Sequence, residues 1–223
     1  MESILKNTIN MIMKIFASAC LLIAASSTFA YFIWHEPVHT KHSVAHALRE
    51  DDKHEFMIRI KQKAAAAAEY IRAGHFNSTR CFLADMRVSS GKARFFVYNL
   101  VRDSIEKAGL VAHGSGSDQG DGELRFSNTI NSGCTSLGRY RIGGSYYGRF
   151  GLAYKLFGLD ETNSAAFNRA VVLHAHSCVP SQEVYPIPIC ESLGCPMVAP
   201  DFLQTLKNYI NRSEEPILLW IYY

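Results

Sequence analysis

Short runs of β-branched and aromatic residues, separated by clusters of Gly, Ser, Asn and Asp, predict a mainly β domain with flanking helices for this 223-residue chain. Two further observations support that class. The pair Cys81 to Val88 and Ala93 to Val101 brackets Ser89-Ser90-Gly91-Lys92 and reads as a hairpin, and two segments carry the apolar spacing of core-facing helices. The first runs from Glu55 to Ala73, with Phe56, Ile60, an alanine run and Tyr70-Ile71, closed by Gly74. Its alanines supply helix propensity and close packing. The second covers Asp201 to Ile210, with Asp201 as the expected cap.

The other elements follow in order. Gly109 to Ala112 adds a short strand, and residues 113 to 133 form a long loop dense in Gly, Ser, Asp and Asn, of a length that loops with a function share. Leu137 to Ile142, the glycine-broken stretch Gly143 to Gly148, and Leu152 to Phe157 continue as short strands. Ala170 to His174 is the strongest buried strand, and Ile217 to Tyr222 closes the sheet.

Ahead of this domain, Lys6 and Lys14 precede an uncharged stretch from Ile15 to Trp34. It reads either as an export signal, with Thr28-Phe29-Ala30 offering small residues for cleavage, or as a retained membrane anchor, since it suffices to span about 30 Å of hydrocarbon. In both cases the lysines stay cytoplasmic and the rest is delivered to the periplasm or extracytoplasmic envelope, secreted or anchored to the inner membrane. Ala17-Ser18-Ala19-Cys20 is a poor lipidation site because most of the apolar run follows its cysteine. The expected division is therefore 1–34 signal or anchor, 35–80 linker and amphipathic helix, and 81–223 catalytic domain.

A net charge of +3, with acids and bases interspersed, argues against nucleic acid as a partner. His39, His42 and His46 stand at helical spacing and read as a solvated linker face. His35-Glu36-Pro37-Val38-His39 matches the H-E-x-x-H zinc signature only formally, because Pro37 denies Glu36 the α region that the signature requires. Gly114-Ser115-Gly116 lacks the lysine of a phosphate cradle. Neither a cofactor nor a metal is expected.

The chemistry concentrates in Ser192-Leu193-Gly194-Cys195-Pro196, with His174 upstream. A cysteine attacks as thiolate, and a neighbouring imidazole takes its proton and returns it to the leaving amine. Gly194 lets the backbone approach a substrate and present N–H groups to an oxyanion. His174 and His176, at i and i+2, project from one strand face, so parity does not choose between them. His174 ends the apolar run and is preferred as base, with a carbonyl at Ala175 accepting from its second ring nitrogen. Ser192 is either a donor to the thiolate or substrate, or a turn residue. Tyr146 and Tyr147 are offered either as a wall for a peptide or as strand packing. A rival reading places zinc on His174, His176 and either His113 or Cys195.

Cysteine counting gives five beyond the leader: Cys81, Cys134, Cys178, Cys190 and Cys195. An odd number in an oxidising compartment leaves at least one thiol unpaired. A catalytic Cys195 accounts for it, with Cys178 and Cys190 as the expected disulfide; the bland alternative is that several are reduced and buried.

Val111-Ala112-His113-Gly114, Phe126-Ser127-Asn128-Thr129, Thr135-Ser136-Leu137-Gly138, Tyr146-Tyr147-Gly148, Gly158-Leu159, Asn163-Ser164-Ala165, Arg169 to His174 and Ser192 to Pro196 occur in the order of blocks found in one family. Over residues 81 to 222 the chain resembles the L,D-transpeptidase catalytic domain family, in the branch with proline after the cysteine. The resemblance implies a β-sandwich catalytic domain acting on peptidoglycan stem peptides without a cofactor. The position of Cys195 is then the acyl-accepting nucleophile and that of His174 its base. Leu193 and Pro196 depart from the wider family, which carries histidine before Gly-Cys and a basic or amide side chain after it. Hydrolysis by the same thiol, as an L,D-carboxypeptidase or endopeptidase, and a non-catalytic peptidoglycan-binding envelope module are the alternatives.

Overall fold

The computed structural model describes residues 37–120 and 122–223, with side chains from Asp52 onward. The expected signal or anchor at 1–34, and the side chains of His39, His42 and His46, lie outside the described residues. Among those described, no helix is long and apolar enough to cross a membrane. The chain divides between Met57 and Ile58. Only helical backbone is described for most of the first unit; the second, from Ile58, carries everything that follows.

Helix α1 (Pro37–Ala73) has Pro37 at its start, where the missing N–H costs nothing. Within the second unit, Ile60, Ala64, Ala67 and Ile71 recur at three- and four-residue intervals and are all buried. The alanines at 64 and 67 therefore do pack. Arg59 Nε donates to the buried Asp85 carboxylate at 2.9 Å, and Lys63 Nζ lies 4.5 Å from the Trp220 ring centre. These contacts hold the part of the helix that follows Ile58 against the strands that carry Asp85 and Trp220.

The strands are β1 (Arg80–Asp85), β2 (Phe95–Asn99), β3 (Ser104–Gly109), β4 (Val111–Ala112), β5 (Gly138–Gly148), β6 (Gly151–Gly158), β7 (Val172–Ala175), β8 (Met197–Val198) and β9 (Leu218–Tyr222). They join in one nine-stranded sheet in the order β3-β2-β1-β9-β5-β6-β7-β8-β4. The domain is thus mainly β with flanking helices, as the sequence predicts. Five residues of β1 and all five of β2 are buried, because both faces of that hairpin are covered. Phe82, Phe95, Leu156, Leu173 and Leu219 centre a continuous apolar core.

Four expectations are corrected. The β3 strand at Ser104–Gly109 has no sequence signal, since only Ile105 and Ala108 interrupt a polar run. The β9 strand does not finish the sheet at an edge; it lies between β1, to which it is parallel, and β5, joining the two halves. The cap of α2 (Pro200–Asn211) is Ala199, with Pro200 at the first turn, and Asp201 sits inside that turn, where its charge suits the helix dipole. Finally, β7 starts at Val172, because Ala170 takes a left-handed conformation at φ 54° and turns the chain before the strand begins.

A glycine shapes the route to the site. Pairing of β5 with β6 shifts register between Ile142 and Ser145, and a Cβ on Gly143 would lie 2.4 Å from the Phe157 ring. The bulge bends the far end of the hairpin, which carries Tyr146, Tyr147 and Phe150.

Candidate active site

Strand β7 lies between β6 and β8, with His174 opposite Ala153 on one side and Met197 on the other. Cys195 comes two residues before Met197. Val172, two residues before His174, gives its N–H to Cys195 Sγ at 3.5 Å. The parallel pairing of β7 and β8 therefore brings the two predicted chemical residues to one end of two adjacent strands. Thiol and imidazole are not hydrogen-bonded to each other among the described residues. The thiol reaches Ala170 O at 3.8 Å, the carbonyl that the left-handed turn presents.

The turn before Cys195 is stapled by Ser192. Its Oγ donates to Cys195 O at 2.7 Å and lies 3.2 Å from His113 O, while it accepts the Gly194 N–H at 3.0 Å. The Gly194 N–H is thus engaged within the turn, and would have to give up that bond to serve an oxyanion. Gly194 stands at φ 110°, and a Cβ there would lie 2.6 Å from Cys134 O and 3.1 Å from Arg169 Nη2. No other residue fits. The Ser192 N–H donates to His113 O at 2.8 Å, and Ser115 N–H to Ser192 O at 2.8 Å. The long loop after β4 is bonded directly to the turn before Cys195.

The histidines are distinguished by their hydrogen bonds. His174 Nδ1 lies 3.1 Å from Ala175 O. A carbonyl only accepts, so Nδ1 carries the proton and Nε2 keeps its lone pair. His176 is not fixed in this way: its Nδ1 lies 3.0 Å from Cys178 Sγ, a disulfide sulfur that only accepts, and 3.2 Å from the donating Cys178 N–H, so its two contacts call for opposite tautomers.

Burial sets the charge state of the pair. It pushes the Cys195 thiol up, opposed by the Val172 N–H and the Arg169 guanidinium. It draws His174 down, opposed by the Ala175 carbonyl and aided by His176. Both shifts favour neutral thiol and neutral imidazole at rest. Arg169 belongs to one of the sequence blocks, but its sequence context does not mark it as a site residue. Its guanidinium donates to Ser127 O at 2.8 Å and Cys134 O at 2.6 Å, fastening that loop beside Gly194. It brings a cation near the thiol, where this chain has Pro196 in place of a basic neighbour.

Phe150 is a second site residue that sequence reasoning misses. It lies half-exposed on the β5–β6 turn, yet its ring stacks on His174 at 5.2 Å and meets His176 edge-on at 5.7 Å. Beside it is a cavity of about 360 Å³ lined by Phe150, Leu152, Ala175, His176, Ser177 and Pro200. Tyr146 and Tyr147 stand on the same hairpin, 39% and 80% exposed. The loop between the histidines and Cys195 is closed by the Cys178–Cys190 disulfide, leaving Cys81, Cys134 and Cys195 free.

A zinc site on His174 and His176 has no third ligand among the described residues. The grouping with metal-ligand spacing there is His113, Asp118 and Glu191, which contains neither His174, His176 nor Cys195.

The L,D-transpeptidase catalytic domain model matches residues 50–222. The chain belongs to that family. Among curated proteins no sequence matches this chain. It is similar to the solved L,D-transpeptidase of Xylanimonas cellulosilytica, with 12% identity, 64% of this chain and 60% of that one covered, and a TM-score of 0.36. For Bd1075 of Bdellovibrio bacteriovorus the values are 17%, 65%, 48% and 0.40. For Pgp2 of Campylobacter jejuni, a helical cell shape determining protein, they are 10%, 64%, 47% and 0.41. The chain spans about half to three-fifths of the length of these three structures.

Proposed function

We propose that this L,D-transpeptidase-family domain transfers a peptidyl group between peptidoglycan stem peptides through a thioester on Cys195. The observation that carries the reading is the tautomer assignment beside the thiol: His174 holds its proton on Nδ1 against Ala175 O, leaving Nε2 as the base. As substrate enters, Nε2 takes the Cys195 proton and Sγ attacks the carbonyl before the terminal D-alanine. The C–N bond breaks as His174 returns the proton to the leaving amine. A primary amine of a second stem then attacks the thioester carbonyl, the C–S bond breaks, and the amine's proton returns through His174 to the thiolate.

Arg169 supports the thiolate that exists between these steps, and Tyr146, Tyr147 and Phe150 offer an aromatic wall to the peptide. The reaction is placed in the extracytoplasmic envelope, where the substrate lies, with residues 15–34 serving as signal or anchor. No cofactor takes part.

Product analysis with a disaccharide tetrapeptide tests this. Cross-linked dimer that disappears in Cys195→Ala supports transfer. Tripeptide as the only product, at every acceptor concentration, replaces transfer with L,D-carboxypeptidase hydrolysis.

A further inference from the structure

His113 follows β4 with its side chain 6% exposed. The fully buried Arg94 lies behind it, with Nη2 2.8 Å from His113 Nδ1. A guanidinium only donates, so Nδ1 is the acceptor and the neutral ring carries its proton on Nε2. That Nε2 is buried and has no hydrogen-bond partner among the described residues. It points at two carboxylates: Glu191 Oε1 lies 3.6 Å away, and the ligand atoms of His113, Asp118 and Glu191 all fall within 4.8 Å of one another. Asp118 accepts from Gly120 N–H, and no lysine or arginine pairs with either carboxylate among the described residues. Glu191 directly precedes the stapled turn and is four residues from Cys195.

The spacing resembles a metal site, but the chemistry refuses one. A divalent ion at Nε2 would need the lone pair of a ring whose other nitrogen already accepts from Arg94, which would make it an imidazolate. Instead the unpartnered Nε2–H faces the carboxylates, 3.6 Å from Glu191 Oε1, while adding no positive charge among them. What remains is an anionic corner with a fixed donor behind it, at the foot of the nucleophile turn. A compact cation with several hydrogens to donate fits it.

We propose that Asp118 and Glu191, backed by the His113 Nε2–H, form the subsite for the primary ammonium group of the acyl acceptor. This rests on the transfer reading above and names where its second substrate docks. Asp118 and Glu191 bind the ammonium, one of these carboxylates accepts its proton as the free amine leaves to attack the thioester, and His113 is a positioning residue behind Glu191.

The test is equilibrium binding to the full chain carrying Cys195→Ser, using a stem tripeptide with a free side-chain amine and its N-acetylated twin. A preference of about tenfold for the free amine is expected, and Asp118→Asn with Glu191→Gln together should abolish it. Both changes are isosteric and lie at exposed side chains, and thermal unfolding checks that the variant folds. No preference for the free amine, or a preference that survives in the double variant, overturns the inference. So does stoichiometric binding of Zn²⁺ alone that the double variant loses. Intact mass of the wild-type chain with donor tetrapeptide keeps the two readings apart. A thioester without amine preference defeats the subsite alone, whereas absence of any thioester defeats the transfer reading itself.

Discussion

Phe150 stacks on His174 with ring centres 5.2 Å apart and planes 22° from parallel, although the two lie far apart in sequence. Half-exposed, the phenyl ring covers one face of the imidazole and helps to keep it dry. Phe150→Ala should therefore raise the His174 pKa toward its ordinary value, since burial is the chief cause of its depression. The acidic limb of the pH profile for Cys195 acylation should move to higher pH. The maximal rate should fall by about three- to tenfold, as expected when a base loses fixed geometry. An unmoved limb would deny the ring this part.

Gly194 is the position least able to accept a side chain. At φ 110°, and with Cys134 O 2.6 Å from where a Cβ would stand, Gly194→Ala should cost on the order of 1–3 kcal/mol and displace Cys195. Denaturant unfolding measures the first effect and the alkylation rate of Cys195 the second. Arg169→Ala should leave more room at that position, and the double substitution should lose less stability than the two single changes summed.

The Cys178–Cys190 disulfide closes a loop of sequence separation 12 between β7 and the turn before Cys195. By loop-closure entropy it contributes about 3 kcal/mol, so Cys178→Ser with Cys190→Ser should lower the unfolding temperature measurably. Thiol counting on the native wild-type chain should label the half-buried Cys195 slowly but completely, whereas buried Cys81, whose pKa is pushed up to about 12, should react only after unfolding.

Burial, with Arg94 beside it, draws His113 down to about 4, and His174 shifts in the same direction. Unfolding returns both rings to about 6.5, so between these values the unfolded chain binds more protons. Stability should be complete above about pH 6.5 and fall as pH drops toward 4. His113→Gln should flatten that slope in chemical denaturation across the pH range. An unchanged slope would show that His113 is not the linked group.

Much of this is legible in the sequence because local pattern and tertiary demand agree. The β1–β2 hairpin, the helix after Phe56 and the Ser192–Cys195 turn carry period, glycine and alanine signals that packing reinforces. The β3 strand is hidden because its Ser, Glu and Lys residues sit on a half-exposed edge next to β2. The central place of β9 depends on a parallel pairing with β1 across most of the chain, which no local pattern records. His174 and Cys195 can be named from sequence. The Ala175 carbonyl, expected from the sequence, lies 3.1 Å from His174 Nδ1, whereas the contacts of His176 with Cys178 appear only in three dimensions. Phe150 and Arg169 have no signal of their own, since each reaches the surroundings of His174 and Cys195 from a different loop.

Intact mass of the full chain, taken during incubation with disaccharide tetrapeptide, tests most directly whether Cys195 accepts the peptidyl group with His174 as its base. The expected result is an adduct equal to the donor less D-alanine, absent in Cys195→Ala and slowed by about 10²–10⁴-fold in His174→Ala. No adduct on a folded wild-type chain, with Cys195 found in a disulfide, would contradict it.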